Sequence, residues 1–216
     1  MFQKIFEKII KKLEIDDEVR ENTLKVTRKA VRLSQDAVRA THRREFKKAK
    51  ENLKEVRKLI DEVEKNIKEL SPHLFYKGYV TVMHQEFVEA SLFLALVQKN
   101  TEMQGPEALN VSEYAYLEGL GDLIGELRRY SIDAMRNEDF QEAEWSLGVM
   151  EQIYDLLITL DYPEGLVPGI RRKTDIARSL IEKTKSDFHY LLHGNKLVTS
   201  INRLLEKLKN IDSTGG

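Results

Sequence analysis

The fold class is decided by the stretch from Phe46 to Leu70, which reads FKKAKENLKEVRKLIDEVEKNIKEL. Its apolar residues recur at steps of three and four, the spacing that puts them on one face of an α-helix. They are Phe46, Ala49, Leu53, Val56, Ile60, Val63, Ile67 and Leu70. The stretch therefore predicts an amphipathic helix, which Ser71–Pro72 should end because the residue before a proline disfavours helical geometry.

Helical spacing continues on both sides of this stretch. An apolar stripe over residues 19–40 predicts a preceding helix, and a phase slip near Thr41–Arg44 predicts the turn of an antiparallel hairpin. The further predicted helices are 74–98, 112–137, 140–160, 170–193 and 196–211. Gly194 is expected to cap the helix before it. No segment alternates like a strand, so we predict an all-α, single-domain bundle of about seven helices spanning residues 1–216.

The composition excludes several classes of protein. The chain has 216 residues, 33% of them charged, and no cysteine, which rules out disulfides, thiolate zinc sites and iron–sulfur clusters. Its longest apolar run, Leu92–Val97, is too short to span a membrane. The N-terminus lacks the apolar core of a signal peptide. We therefore expect a soluble, cytoplasmic protein that does not enter membranes.

Charge is distributed unevenly along the chain. Residues 1–70 carry 20 basic and 14 acidic side chains, residues 71–169 carry 5 and 17, and residues 170–216 carry 10 and 5. Basic flanks around an acidic centre suit a polyanion bound beside a metal site. The alternative is that the charges merely solvate helix faces.

Two groups of carboxylates stand out in the acidic centre. Glu86 and Glu89 lie three residues apart on a helix that is apolar on every side, where unpaired carboxylates would be costly. In YLEGLGDLIGELRRY, Glu118, Asp122 and Glu126 form a ladder with a spacing of four. Gly119, Gly121 and Gly125 surround the ladder and suggest that another helix or a ligand approaches closely.

If these two helices face each other, four or five carboxylates converge. Oxygen ligands alone select a hard cation, Mg²⁺ or Mn²⁺. A di-iron site is disfavoured because no histidine lies three residues after a glutamate. A nucleotide pyrophosphatase with ExxE and ExxD motifs fits only in part, since Glu118 and Asp122 are one residue too far apart. A metal-dependent nuclease and ordinary ion pairs on helix faces both remain open.

Two blocks of sequence carry a family resemblance. HQEFVEA, residues 84–90, and YLEGLGDLIGEL, residues 116–127, resemble segments of the translin family. The stretches MEQIYDLLITLD and IRRKTDIARSLIEKTKSDFHYLLHG are similar to its C-terminal helices. The resemblance spans about residues 19–194 and is strongest to the catalytic branch of translin-associated factor X (TRAX) subunits. Residues 195–216 would add a C-terminal amphipathic helix and a short tail.

The resemblance implies a translin-like α-α superhelical fold and a closed, hollow homo-oligomer such as an octamer. It also implies a Mg²⁺- or Mn²⁺-dependent endoribonuclease that cleaves RNA, single-stranded or a small duplex, within the shell. The family's catalytic and metal-binding acids correspond to Glu86, Glu89, Asp122 and Glu126. The alternative is a translin-type subunit that binds RNA or single-stranded nucleic acid without cleaving it. A translin-like partner subunit is a further expectation, and Glu118 departs from the family's usual leucine.

Five basic side chains are the candidates for RNA contact. Arg43 and Arg44 belong to the basic segment 28–50, which could follow an RNA backbone or simply be solvated. Lys77 is the charge that remains in the segment before the first acidic pair. His84 could contact a phosphate or pack as a hydrogen-bonded core residue. Arg129 could stabilise phosphate charge or pair with Glu126.

Overall fold

The computed structural model describes residues 2–74, 78–100 and 102–214. Over these residues it contains seven α-helices, one 3₁₀ turn and no strand. The helices are α1 Phe2–His42, α2 Phe46–Leu70, α3 Gly78–Val97, α4 Pro106–Leu109, α5 Glu113–Arg136, α6 Phe140–Leu157 and α7 Ile170–Thr214, with the 3₁₀ turn at Pro72–Leu74. The prediction of an all-α fold is confirmed.

The predicted hairpin of α1 and α2 is present. The two helices pack together, and three residues, 43–45, connect them. The bounds of α2 are those that the apolar stripe predicts. α1 begins much earlier than the stripe at residue 19, but its residues before Val19 are mostly exposed. Only its second half therefore contributes to the core.

The prediction of two C-terminal helices separated at Gly194 is wrong. α7 runs from Ile170 to Thr214 without interruption. A Cβ added at Gly194 would meet nothing within 4 Å. Glycine inside a helix costs roughly 1 kcal/mol relative to alanine, which a long helix tolerates. The loop predicted at 100–110 also contains the one-turn helix α4, which Pro106 starts and the left-handed Asn110 ends.

Contacts divide the chain into two compact units. The first comprises residues 1–123 with 163–170, and the second comprises 124–162 with 171–216. The single domain expected from the sequence stays a prediction. In the first unit α3 packs against α1 and α2, with Phe93, Val88 and Met83 fully buried. α3 is, within the described residues, the single helix long and apolar enough to cross a membrane, but 56% of its apolar window is buried inside the protein.

The second unit is held together by contacts of α5 with α6 and α7. The hydroxyl of Ser146 donates to the Leu127 carbonyl at 2.9 Å, and that of Ser131 donates to the Ala143 carbonyl at 3.1 Å. Small residues at these crossings let the α5 and α6 backbones approach closely. Arg128 donates to Thr184 Oγ1 at 2.7 Å and to Asp187 Oδ2 at 3.0 Å on α7. Arg128 is therefore a structural residue, on a different face from the acidic ladder.

Candidate functional site

The two helices that carry the candidate acids, α3 and α5, approach each other closely at Gly119. A Cβ built on Gly119 would lie 2.7 Å from Val88 Cγ1 and 2.9 Å from the backbone oxygen of Gln85. No side chain fits at those distances, so only glycine allows α5 to pack this closely on α3 at this position. The prediction of a close approach is confirmed for Gly119. At Gly125 an added Cβ would meet no protein atom within 4 Å, so helix packing does not require this glycine, and the approach of a ligand there stays a prediction.

A hydrogen bond links the two helices next to this crossing. The Gln85 side-chain amide of α3 donates to Oδ2 of Asp122 on α5. Both side chains are half-buried. The bond fixes the orientation of the Asp122 carboxylate and directs it toward α3.

The two acids of α3 lie next to Gln85 in the helix. Glu89 follows Gln85 by one turn and so shares the side of α3 that reaches Asp122. Glu86 is the next residue after Gln85 and lies toward a neighbouring face. Both carboxylates are half-buried rather than immersed in the apolar core, which lowers the cost of keeping them charged.

The fourth acid, Glu126, is one turn beyond Asp122 on α5. The division into units falls between Leu123 and Ile124, so Glu126 belongs to the second unit. Its carboxylate oxygen Oε2 is 3.8 Å from Nη1 of Arg129. The side chain of Arg129 is 57% exposed, which leaves its guanidinium accessible to an anion.

The donor chemistry of these four residues suits a hard divalent cation. All four offer carboxylate oxygens, and the Gln85 bond presents one of them in a fixed orientation. In the part of the chain that the structure describes, no three histidine, aspartate or glutamate side chains are grouped closely enough to hold a metal ion. The type of ligand therefore fits Mg²⁺.

Glu118, the first member of the ladder, has a different environment. Its side chain is buried, and its Oε1 would lie 3.6 Å from a Cβ added at Gly169 in the 163–169 loop. Burial raises the pKa of the nearby Tyr114, and the charges of Glu118 and Glu164 raise it further. Glu118 thus lies beside the loop in the first unit, on the Tyr114 side of α5.

His84 is buried next to a glutamate of α2. It is 4% exposed, and its Nε2 lies 3.4 Å from Oε1 of Glu64. This contact is the main cause that lowers the pKa of Glu64, whose burial acts in the opposite direction. Of the two interpretations of His84, a phosphate contact or a packed core residue, the structure favours the packed residue.

The remaining candidates for RNA contact are dispersed. Arg43 and Arg44 are exposed at the turn between α1 and α2, and Arg44 has a left-handed backbone with φ of 60°. Lys77 lies outside the described residues.

Sequence reasoning missed Gln85 and Glu64. Gln85 carries no charge and belongs to no metal-binding pattern, so the sequence pattern indicated only the neighbouring carboxylates. Glu64 lies on the stripe-bearing helix among many other charged residues, and its contact with His84 spans 20 positions. The one available signal was that Glu64 directly follows Val63, an inward-facing residue of the stripe.

Comparisons with known proteins show the family to which the chain belongs. The translin family matches residues 6–190 of the chain. The chain belongs to the translin family. A protein of Methanocaldococcus jannaschii, itself uncharacterised, is 34% identical over 190 residues, which cover 87% of this chain and 83% of that protein.

Three solved structures are similar to this chain in fold. The structure of AfC3PO in complex with duplex RNA has 30% sequence identity and a TM-score of 0.75, covering 88% of this chain and 97% of that one. A crystal structure of AfC3PO has 32% identity, the same coverage and the same TM-score. Apo-NeC3PO, at 22% identity and a TM-score of 0.73, covers 88% of this chain and 96% of its own and is similar in fold.

Proposed function

We propose that this translin-family protein is a TRAX-like, Mg²⁺-dependent endoribonuclease. The observation that carries the proposal is the packing of α3 on α5, where Gly119 meets Val88 and Gln85 binds Asp122. This crossing joins the two helices that carry Glu86, Glu89, Asp122 and Glu126. Those positions also match the acids of the family's catalytic branch.

Each residue of the proposed site has a definite task. Glu86, Glu89, Asp122 and Glu126 would hold Mg²⁺, or Mn²⁺, through carboxylate oxygens. The chemistry that such an ion supplies when bound is activation of water and neutralisation of charge on a phosphoryl oxygen. Gln85 keeps the Asp122 carboxylate directed toward α3. Arg129, exposed and one turn from Glu126, is positioned to bind a phosphate of the RNA.

RNA is the proposed substrate, and a homo-oligomer the proposed assembly. AfC3PO, a relative of similar fold, forms a complex with duplex RNA, and Arg43 and Arg44 are exposed cations that suit a phosphate backbone. Exposed apolar side chains favour assembly through the ends of the long helices. They include Phe2, Phe6, Ile9 and Leu13 of α1, and Leu197, Ile201 and Leu204 of α7. A closed shell with or without a translin-like partner subunit is consistent with such faces.

A second candidate function is RNA binding without cleavage. It is favoured by the finding that the described residues contain no ready-made group of three metal ligands. The four carboxylates would then serve electrostatics and packing, as the side-chain bond of Gln85 to Asp122 does.

One experiment separates the two functions. Labelled single-stranded and duplex RNA are incubated with the wild type and with Glu126→Gln, in Mg²⁺, Mn²⁺ or EDTA, and binding is measured on the same samples. The proposal expects metal-dependent cleavage by the wild type, and binding without cleavage by the variant. Binding by both proteins with no cleavage in any metal would establish the second function instead.

A further inference from the structure

A pair of histidines on α7 has no role in the proposed nuclease. His189 and His193 are exposed and lie four residues apart, one helical turn, within the second unit. Their Nε2 atoms are 3.0 Å apart, and their ring centroids are 4.4 Å apart with the planes at 60°. One ring therefore donates its Nε2–H to the Nε2 lone pair of the other. The two Nε2 atoms are therefore close enough for one metal ion to reach both.

This distance is compatible with one metal ion shared by both rings. Imidazole nitrogens bind zinc-like ions at about 2.0–2.1 Å, so two nitrogens 3.0 Å apart subtend about 94° at one ion. That angle is close to the 90° between neighbouring ligands of an octahedral or tetragonal site, and only somewhat below a tetrahedral angle. Neutral imidazole suits Zn²⁺, Cu²⁺ and Ni²⁺ and is a poor ligand for Mg²⁺.

The surroundings of the pair leave room for the rest of a coordination shell. The two rings line a cavity of about 810 Å³, together with Met135, Glu138 and Phe140. Glu138 is the single carboxylate among the described residues that line it. Water or a displaced Glu138 side chain could therefore complete the ligand set.

The pair directly precedes a glycine inside α7. Gly194 follows His193 directly, and a Cβ there would meet nothing within 4 Å. Glycine is a poorer helix former than alanine by roughly 1 kcal/mol, so the helix is intrinsically less stable at this residue. An ion held by His189 and His193 would cross-link the turn immediately before Gly194.

We propose that His189 and His193 bind a divalent transition-metal ion of the Zn²⁺ class through both Nε2 atoms, and that the ion fixes the helix at Gly194. On binding, the proton shared between the two Nε2 atoms leaves, and the ring that carried it becomes the Nδ1–H tautomer. The number of protons on the two neutral rings is then unchanged. The inference does not depend on the nuclease, whose proposed acids are on α3 and in the middle of α5.

The first test is titration of the full-length protein with Zn²⁺ and with Mg²⁺ by calorimetry. The wild type is compared with His189→Ala and His193→Ala, and with the control His73→Ala, which removes an exposed histidine that has no histidine four residues away. Substituting only the neighbours of metal ligands costs about 10–100-fold in affinity, so removal of a ligand should weaken Zn²⁺ binding by at least about tenfold. The control should bind Zn²⁺ like the wild type.

Asp122→Asn is titrated in parallel so that zinc bound by the proposed acidic set is counted separately. Equal Zn²⁺ affinity in the wild type and both α7 variants would overturn the site. Circular dichroism checks that the variants keep their helix content, as expected because both rings are exposed.

Hydrogen exchange tests the effect on the helix. Zn²⁺ should slow amide exchange around residues 193–199 in the wild type and leave it unchanged in His193→Ala. Unchanged exchange in the wild type at saturating Zn²⁺ would overturn the stiffening of the helix.

Discussion

Gly119 of α5 lies so close to Val88 of α3 that a Cβ built on the glycine would be 2.7 Å from Val88 Cγ1. The same Cβ would be 2.9 Å from the backbone oxygen of Gln85, the residue whose side chain binds Asp122. The absence of a side chain at Gly119 therefore permits both the close packing of the two helices and the bond that orients the Asp122 carboxylate.

Gly119→Ala should destabilise the protein. The added methyl meets backbone as well as side chain, and overpacking of this kind costs about 1–3 kcal/mol. This exceeds the gain of roughly 1 kcal/mol from alanine's higher helix propensity. The measurement is the free energy of unfolding by urea.

Gly125→Ala is the matched control, six residues further along the same helix. Its Cβ would meet nothing within 4 Å, so this variant should gain about 0.5–1 kcal/mol. Stabilisation by both substitutions would show that the helices do not meet at Gly119.

Glu64→Gln should remove a stabilising interaction that depends on pH. The contact with His84 lowers the pKa of Glu64 from its ordinary value of 4.5. A lowered pKa in the folded state means that ionised Glu64 stabilises the fold above about pH 4.5 and loses this effect as pH falls through the folded-state pKa. Near pH 7 the variant should be less stable by about 1–3 kcal/mol.

The measurement is urea unfolding of the wild type and Glu64→Gln from pH 7 to pH 3. The gap between them should narrow below pH 4.5. Glu62→Gln, an exposed glutamate of the same helix, should leave stability nearly unchanged throughout. A gap that stays constant over the whole pH range would contradict the role given to the Glu64 carboxylate.

Gly194→Ala should stabilise α7 because the residue is inside a helix and open to solvent. The expected gain is about 0.5–1 kcal/mol in unfolding free energy. Gly169→Ala is the opposite case, since Gly169 has a φ of 77° that alanine adopts only with strain. A loss of stability on Gly194→Ala would restore the helix break that the sequence suggested.

Arg43→Gln should weaken RNA binding about equally for all sequences, because an exposed cation at the α1–α2 turn meets phosphates and not bases. Removing one phosphate-binding cation should reduce the slope of log K against log salt by about 0.7 on a single strand. Arg136→Gln, an exposed arginine paired with Asp133 at the end of α5, is the control. An unchanged slope in Arg43→Gln would remove this turn from the RNA-binding surface.

The elements that sequence predicts well are those with a clear apolar stripe. α2 has the predicted bounds because a shift in the phase of the apolar stripe marks its start, Ser71–Pro72 marks its end, and each turn carries an apolar residue. The prediction that a helix ends at Gly194 was wrong because glycine also occurs inside helices, at positions where no side chain is needed for packing. Tertiary packing decides whether a helix ends at a glycine or continues through it, and a single sequence does not show that packing.

The candidate site was predictable in composition and only partly in arrangement. Paired carboxylates in apolar or glycine-rich surroundings indicated Glu86, Glu89, Glu118, Asp122 and Glu126, and the family resemblance selected all of these except Glu118. Gly119, three residues before Asp122, marked a helix crossing. The role of Gln85 was not predictable, because its partner is 37 residues away and an uncharged side chain in an acidic motif has no spacing rule.

The most direct test of the central claim is cleavage of a labelled RNA in Mg²⁺ by variants of one acid from each helix. Glu89→Gln on α3 and Asp122→Asn on α5 should each reduce the rate at least about 10²-fold, because each removes a ligand of the proposed ion. Glu118 lies beside the 163–169 loop and is not one of the four proposed ligands. Glu118→Gln should therefore cleave RNA at a rate within a few-fold of the wild-type rate. Wild-type rates in Glu89→Gln and Asp122→Asn would contradict the account.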